Sequence, residues 1–167
     1  YNYERWHNQK YHFWTAQKAL IIKQNTNYLY TIYYIMNTQV LSANDSLKGY
    51  HGGEQFFIHP ITKMRYTEGI REIAKKYNSY WFLDIIGSYQ EELKNENFQS
   101  WKLEREYSYS VIENVKVVGQ RKDSFNVVCD DGNDKVLIKQ SIHFSDFPFD
   151  EYTVWCIEGV IILPVEY

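Results

Sequence analysis

At 167 residues the chain has the length of one ordinary domain, with enough material for a real core. Hydrophobic residues make up 44% and charged residues 23%, which excludes a disordered chain. A formal charge of −3 argues against a surface built for phosphate backbones, so nucleic acid is not an expected partner.

The first 35 residues differ from the rest. They hold seven tyrosines but no Gly, Pro or Asp, and Glu4 is their only acid against Arg5, Lys10, Lys18 and Lys23. They therefore carry +3, whereas residues 36–167, with 14 bases and 20 acids, carry −6. The excess of Asn, Tyr, Ile, Lys and Gln is what AT-rich codons give when no fold is selected. We expect residues 1–35 to be an extension outside the domain, with the biological start at Met36, and residues 36–167 to be one domain. The bland alternative is a genuine N-terminal extension. Gln24 to Asn44 carries no charge, but ten of its 21 residues are Asn, Gln, Ser or Thr. That is too polar for a bilayer span. The start shows no compact apolar segment with a cleavage site, so a cytoplasmic location is the expectation.

From Met36 the punctuation is that of a folded chain. "SANDSLKGYHGG" reads as a short helix or turn and then a loop. "EQFFIHP" and "KMRY" read as short extended segments around Pro60. In "TEGIREIAKKY" the residues Ile70, Ile73, Ala74 and Tyr77 fall on one helical face. Thr67 is placed as N-cap, Glu68 complements the positive helix end, and Lys75 and Lys76 the negative end. Asn78 or Ser79 separates this helix from the next. Tyr80 to Tyr89 is apolar nearly all round, which marks a buried helix. Asp84 interrupts it, on a stripe with Tyr77, Trp81 and Ser88.

The second half reads as β. "FQSWKLEREY" alternates Trp101, Leu103 and Tyr107 with Lys102, Glu104 and Glu106, so one face is in water. "SFNVVCDDGNDKVLIKQSIHF" is two strands joined at Asp131-Gly132, where Gly supplies the positive φ of a tight turn. "TVWCIEGVIILP" is a further hairpin or bent strand, turning near Gly159. Helices first and strands later imply an α+β fold, two consecutive helices packed on one face of a mainly antiparallel sheet.

Chemistry-bearing motifs are few. His51, Glu54 and His59 are possible zinc ligands, but their spacing matches no ligand pattern, and neither metal nor cofactor is expected. No phosphate loop or nucleophile elbow is present. Cys129 and Cys156 lie in apolar runs and read as buried free thiols. The acids remain. Asp84, Asp146 and Asp150 are the candidate catalytic residues, for a carboxylate-centred metal-dependent hydrolase or nuclease, if they converge. The bland readings give Asp130 and Asp131 to a turn and Asp150 to the bend after Pro148. For Asp84 the bland reading is a buried hydrogen-bond anchor, with Arg65, Arg71 or Arg105 as possible partners.

Several uncommon segments occur together from about Tyr50 to Tyr167. They are His59-Pro60, "YTEGI" (66–70), "YWFLDIIGSYQ" (80–90), "FQSWKL" (98–103), "DDGN" (130–133), "FSDFPFDEYTVW" (144–155) and "LPVEY" (163–167). In this order they resemble an uncharacterised family of small bacterial and phage proteins known as domain of unknown function 6876. The resemblance implies a shared fold and a bacterial or mobile-element home, and it supplies no activity. "SYSVIENVKVVGQRKDS" (108–124) is longer than the family pattern, and an insertion or extra strand is expected there. The function expected is a small binding or interaction module with a protein partner, no membrane association and an oligomeric state left open. The carboxylate-centred enzyme is the alternative.

Overall fold

The computed structural model describes residues 40–47, 55–112, 115–133 and 135–167. The Met36 boundary, His51 and Glu54 lie outside the described residues. The chain divides into two units, Val40–Ser108 with Gln120–Tyr167, and Tyr1–Gln39 with Tyr109–Gly119. In the second unit the described residues belong to the outer parts of two long strands. The first unit is treated below.

The fold is α+β. Its strands are β1 (Phe56–Ile58), β2 (Arg65–Thr67), β3 (Phe98–Ile112), β4 (Val115–Asp130), β5 (Val136–Ile142), β6 (Glu151–Ile157) and β7 (Val160–Ile162). They form one sheet in the order β1-β2-β7-β6-β3-β4-β5. The pairs β1–β2, β6–β7, β3–β6 and β4–β5 are antiparallel, and β2–β7 is parallel. The helices are α1 (Glu68–Lys76) and α2 (Tyr80–Ser88), as the spacing predicts. Between them Asn78 takes φ 51°, a left-handed conformation that Asn tolerates better than most residues. The stretch at 108–124 adds no separate strand among the described residues. It lengthens β3 and β4, which reach 15 and 16 residues.

Turn chemistry sets the register. Glu158 and Gly159 have φ of 49° and 77°, and Ile157 pairs with Val160, so a two-residue turn closes the β6–β7 hairpin. At the β4–β5 turn Gly132 has φ 80°. The Asp130 Oδ1 accepts from Gly132 N–H at 2.8 Å and the Asp131 Oδ1 from Asn133 N–H at 2.8 Å. Both acids therefore shape the turn.

One face of the sheet carries the core. Tyr66 of β2, Ile161 of β7, Tyr152, Val154 and Cys156 of β6, Trp101 and Leu103 of β3, Phe125, Val127 and Cys129 of β4, and Ile138 of β5 are all buried. Strand alternation puts them on a common side, since Tyr152 pairs with Leu103, Val154 with Trp101 and Cys156 with Ile161. Phe82 of α2 packs on Tyr152 with ring centroids 5.6 Å apart, and Tyr89 on Trp101 at 6.0 Å. Phe147, from the β5–β6 connection, is fully buried beside Tyr77, Phe125 and Tyr152. In "FPF" Phe147 thus belongs to the core and Phe149 packs against it, while Pro148 is exposed.

β7 is short and covers only Trp155–Ile157 of β6. The rest of that edge is taken by residues 41–44. Ser42 bridges Glu151, Ala43 N–H donates to Glu151 O at 2.8 Å, and the Asn44 amide exchanges bonds with the Thr153 backbone at 2.7 and 2.8 Å.

Candidate functional site

Asp84 and His59 meet where the β1–β2 hairpin docks on α2. His59 opens a tight turn in which its N–H donates to Met64 O at 2.8 Å and Lys63 N–H returns to His59 O at 3.0 Å. The His59 Nδ1 accepts the Thr62 N–H at 3.3 Å, and the Thr62 hydroxyl lies 3.1 Å away. A backbone N–H can only donate, so Nδ1 is the acceptor and a neutral ring carries its proton on Nε2. That nitrogen sits 3.6 Å from Asp84 Oδ1. Gly87 leaves the space for Thr62, whose methyl and Cβ occupy the position of any added side chain.

The expectation of a largely buried, hydrogen-bonded Asp84 is corrected in part. Its side chain is 44% exposed, and only Oδ1 is shielded from water, without a hydrogen-bond partner. None of the arginines considered as partners takes that role among the described contacts. Arg71 lies over the Phe57 ring at 4.2 Å, and Arg105 faces Asp150. His59, in the turn that follows β1, is 3% exposed.

Asp150 is the buried acid. Its Oδ1 accepts from Arg121 Nε at 2.6 Å and lies 3.3 Å from Arg105 Nε, while Oδ2 accepts the Leu41 N–H at 2.9 Å. Burial pushes its carboxyl up, but the Leu41 N–H, the Arg121 guanidinium and the Tyr107 hydroxyl outweigh burial and hold it below the ordinary value. Arg105 in turn donates to Lys122 O at 2.6 Å, to Phe149 O at 3.1 Å and to Phe147 O. This network clamps the β5–β6 connection to β3 and β4. Asp146 is exposed on that connection. Asp84 and Asp150 share no partner in the described contacts. No group of three or more His, Cys, Asp or Glu among the described residues is placed to hold a metal ion.

The face of the sheet opposite the core is unusual. Register gives a cross-strand row Ile58, Arg65, Val160, Ile157 and Phe98 over β1, β2, β7, β6 and β3. Ile162, Trp155 and Ser100 form the next row. Phe56 and Ile58 are exposed at 57% and 64%, and Trp155, Ile157, Val160, Ile162 and Phe98 are half-buried. The Tyr167 ring, 85% exposed, lies edge-on to Trp155 at 5.8 Å, and Phe98 meets Trp155 at 5.5 Å. The solvated face of such a sheet is ordinarily polar. Sequence reasoning missed this surface. Its signal was the apolar run on both parities in "VWCI" and "VII", which alternation alone does not explain.

A family model described as a family of unknown function, DUF6876, matches residues 41–167. The chain belongs to that family. No curated protein and no solved structure matches it. The match starts at Leu41, whose N–H binds Asp150, and ends at Tyr167, which meets Trp155 edge-on.

Most of the segments that carry the DUF6876 resemblance have structural roles. His59-Pro60 makes the turn against Asp84. Gln90, closing the α2 segment, forms a reciprocal amide pair with buried Gln99 at 2.9 and 3.1 Å, and Trp101 Nε1–H donates to the same Gln99 oxygen at 2.9 Å. In "LPVEY" Glu166 accepts from Thr67 Oγ1 at 2.5 Å, from Leu163 N–H at 2.8 Å and from Gly69 N–H at 3.2 Å. Thr67 stands at the N-cap as predicted, but its side chain makes no cap bond. Glu166 supplies the carboxylate at the positive end of α1 instead. Among the described residues no helix is long and apolar enough to cross a membrane.

Proposed function

We propose that this DUF6876 chain is a binding module that takes a protein partner on the apolar face of its sheet. One observation carries the reading: the cross-strand row from Ile58 to Phe98 presents apolar side chains to solvent on the face opposite the core. A half-exposed Trp and an exposed Tyr beside it are residue types enriched at interfaces. The reading takes α1 and α2 together as the cover of the opposite face, and residues 36–167 as the folded module. The −6 charge of that segment supports a protein partner over nucleic acid. Two free thiols, Cys129 and Cys156, support a reducing, cytoplasmic setting. The family resemblance supports a bacterial or mobile-element origin.

The test is site-specific photo-crosslinking in the native host cell. A photoreactive residue at Ile58 or Trp155 is expected to give a discrete protein adduct, and one at exposed Glu91 none. Equal adducts from all three positions, or none from Ile58 and Trp155, would overturn the reading.

A second reading is favoured by the approach of Asp84 Oδ1 to His59 Nε2. In it the pair is the acid–base element of a hydrolase, with Asp84 open to solvent on its other side. Asp150 is less suited to such work, because its oxygens are engaged by Arg121, Arg105 and Leu41.

A further inference from the structure

We infer that Thr62, His59 and Asp84 form a nucleophile–base–orienter relay acting on short, uncharged acyl esters, with the Thr62 hydroxyl as nucleophile. This rests on the hydrolase reading of the Asp84–His59 pair and names its nucleophile and substrate class. The Thr62 hydroxyl lies 3.1 Å from His59 Nδ1, and His59 Nε2 lies 3.6 Å from Asp84 Oδ1. One buried imidazole thus connects a half-buried hydroxyl to a half-exposed carboxylate. That order of groups is the one nucleophilic acyl transfer requires. Contacts of this kind are often long in a free enzyme and tighten in the substrate complex. Two features hold the hydroxyl in place. The Thr62 Cβ and methyl fill the space beside Gly87, which fixes a side chain already stiff at χ1. The next residue, Lys63, takes φ 61°, a left-handed conformation that is costly for a residue with a Cβ. Such strain collects at active sites.

Nδ1 carries no proton, because it accepts the Thr62 N–H. It therefore takes the hydroxyl proton as Thr62 Oγ1 bonds to the acyl carbon, and the Asp84 carboxylate faces the imidazolium that forms. An imidazolium cannot accept the Thr62 N–H, so that donor is released to the developing oxyanion. The ester C–O bond then breaks, and Nδ1–H gives its proton to the departing alkoxide. Water repeats the two steps, which frees the carboxylic acid and restores Thr62. Asp84 repels an anionic acyl group, so the substrate is uncharged. Ile61, 75% exposed in the same turn, offers a short acyl chain an apolar contact.

The experiment uses the full chain with p-nitrophenyl butyrate and with a p-nitrophenyl phosphonate that stays on the nucleophile. The phosphonate is expected to leave one adduct, on Thr62, and the butyrate to be turned over. Thr62→Val, which keeps the shape and drops the hydroxyl, is expected to lose the adduct and at least about 100-fold in turnover, and Thr62→Ser to keep both. His59→Gln is expected to lose the adduct. Asp84→Asn is expected to lower kcat at least about tenfold with KM unchanged. Circular dichroism confirms that the variants fold, and if His59→Gln does not, the contrast between Val and Ser at position 62 decides. A wild type with neither adduct nor turnover overturns the inference and the hydrolase reading together. Turnover that needs His59 but survives in Thr62→Val, or an adduct on a residue other than Thr62, overturns the inference and leaves the hydrolase reading standing.

Discussion

The Arg105 guanidinium and the Asp150 carboxylate face each other 3.3 Å apart with 3% and 5% of their side chains exposed. Arg105 sits in phase with Trp101 and Leu103, on the buried parity of β3. Its ring contact with Phe125, at 4.2 Å, and its three backbone carbonyl acceptors leave it little access to water. Removing Asp150 would leave this buried charge with only the exposed Asp123 carboxylate, 3.7 Å away, as a counter-ion.

Asp150→Ala is therefore expected to destabilise the fold by about 3–5 kcal/mol, the cost of breaking a buried pair from one side. Arg121→Ala, which removes a 42% exposed partner, is expected to cost about 1 kcal/mol. Urea denaturation of the two variants checks the ordering. Equal costs would contradict the burial argument.

The same network sets an acid limit. The folded-state carboxyl of Asp150 is held below its ordinary value. Its contribution is then complete above about pH 4 and is lost as pH falls through the lower, folded value. Stability of the wild type is expected to fall more steeply below pH 4 than that of Asp150→Asn. Denaturant midpoints measured from pH 6 down to pH 2 read the difference.

Glu166 ties the C-terminal segment to α1. Glu166→Ala removes acceptors for the Thr67 hydroxyl and for the Gly69 and Leu163 N–H groups, and is expected to cost about 1–2 kcal/mol. Gly69→Ala tests the same junction sterically. Its new Cβ would fall 2.6 Å from Leu163 Cδ1 and 2.7 Å from Glu166 Oε1. Hydrogen exchange at the first turn of α1 is expected to rise in both variants.

Asp84 and His59 are expected to differ. Asp84→Ala removes a half-exposed group with one long polar contact, and should cost under about 1 kcal/mol. His59→Ala removes a buried ring and the acceptor of the Thr62 N–H, and should cost about 1–3 kcal/mol. Thermal unfolding of both variants decides. A larger loss for Asp84→Ala would restore the buried-anchor reading.

Burial pushes the Cys129 thiol up to about 12 and the Cys156 thiol up to about 11. Native thiols are expected to react with a water-soluble disulfide reagent at pH 8 at least about 100-fold more slowly than in urea, since the thiolate is the nucleophile. Because these values are raised, the associated stability is complete below about pH 9 and is lost as pH rises through the folded values. An alkaline unfolding limb between pH 9 and 12 is the expected signature.

Periodicity and turn chemistry by themselves determined the local elements. Ile70, Ile73 and Ala74 placed α1, the Asp131-Gly132 and Gly159 turns placed two hairpins, and the alternation from Trp101 to Glu106 placed β3. These signals are local, because a helical face, a positive φ and a strand pleat are each set within a few residues. The α+β class followed from their order. Only the tertiary structure decided what depends on distant neighbours. The parallel β2–β7 pair joins strands about 95 residues apart, and no local pattern encodes it. Arg105 took Asp150 rather than Asp84 because β3, β4 and the β5–β6 connection converge there. Asp84 met His59 because Gly87 admits Thr62 and brings the hairpin turn against α2. The apolar row on the second sheet face exists only once register aligns Ile58, Val160, Ile157 and Phe98, each of them unremarkable in its own strand.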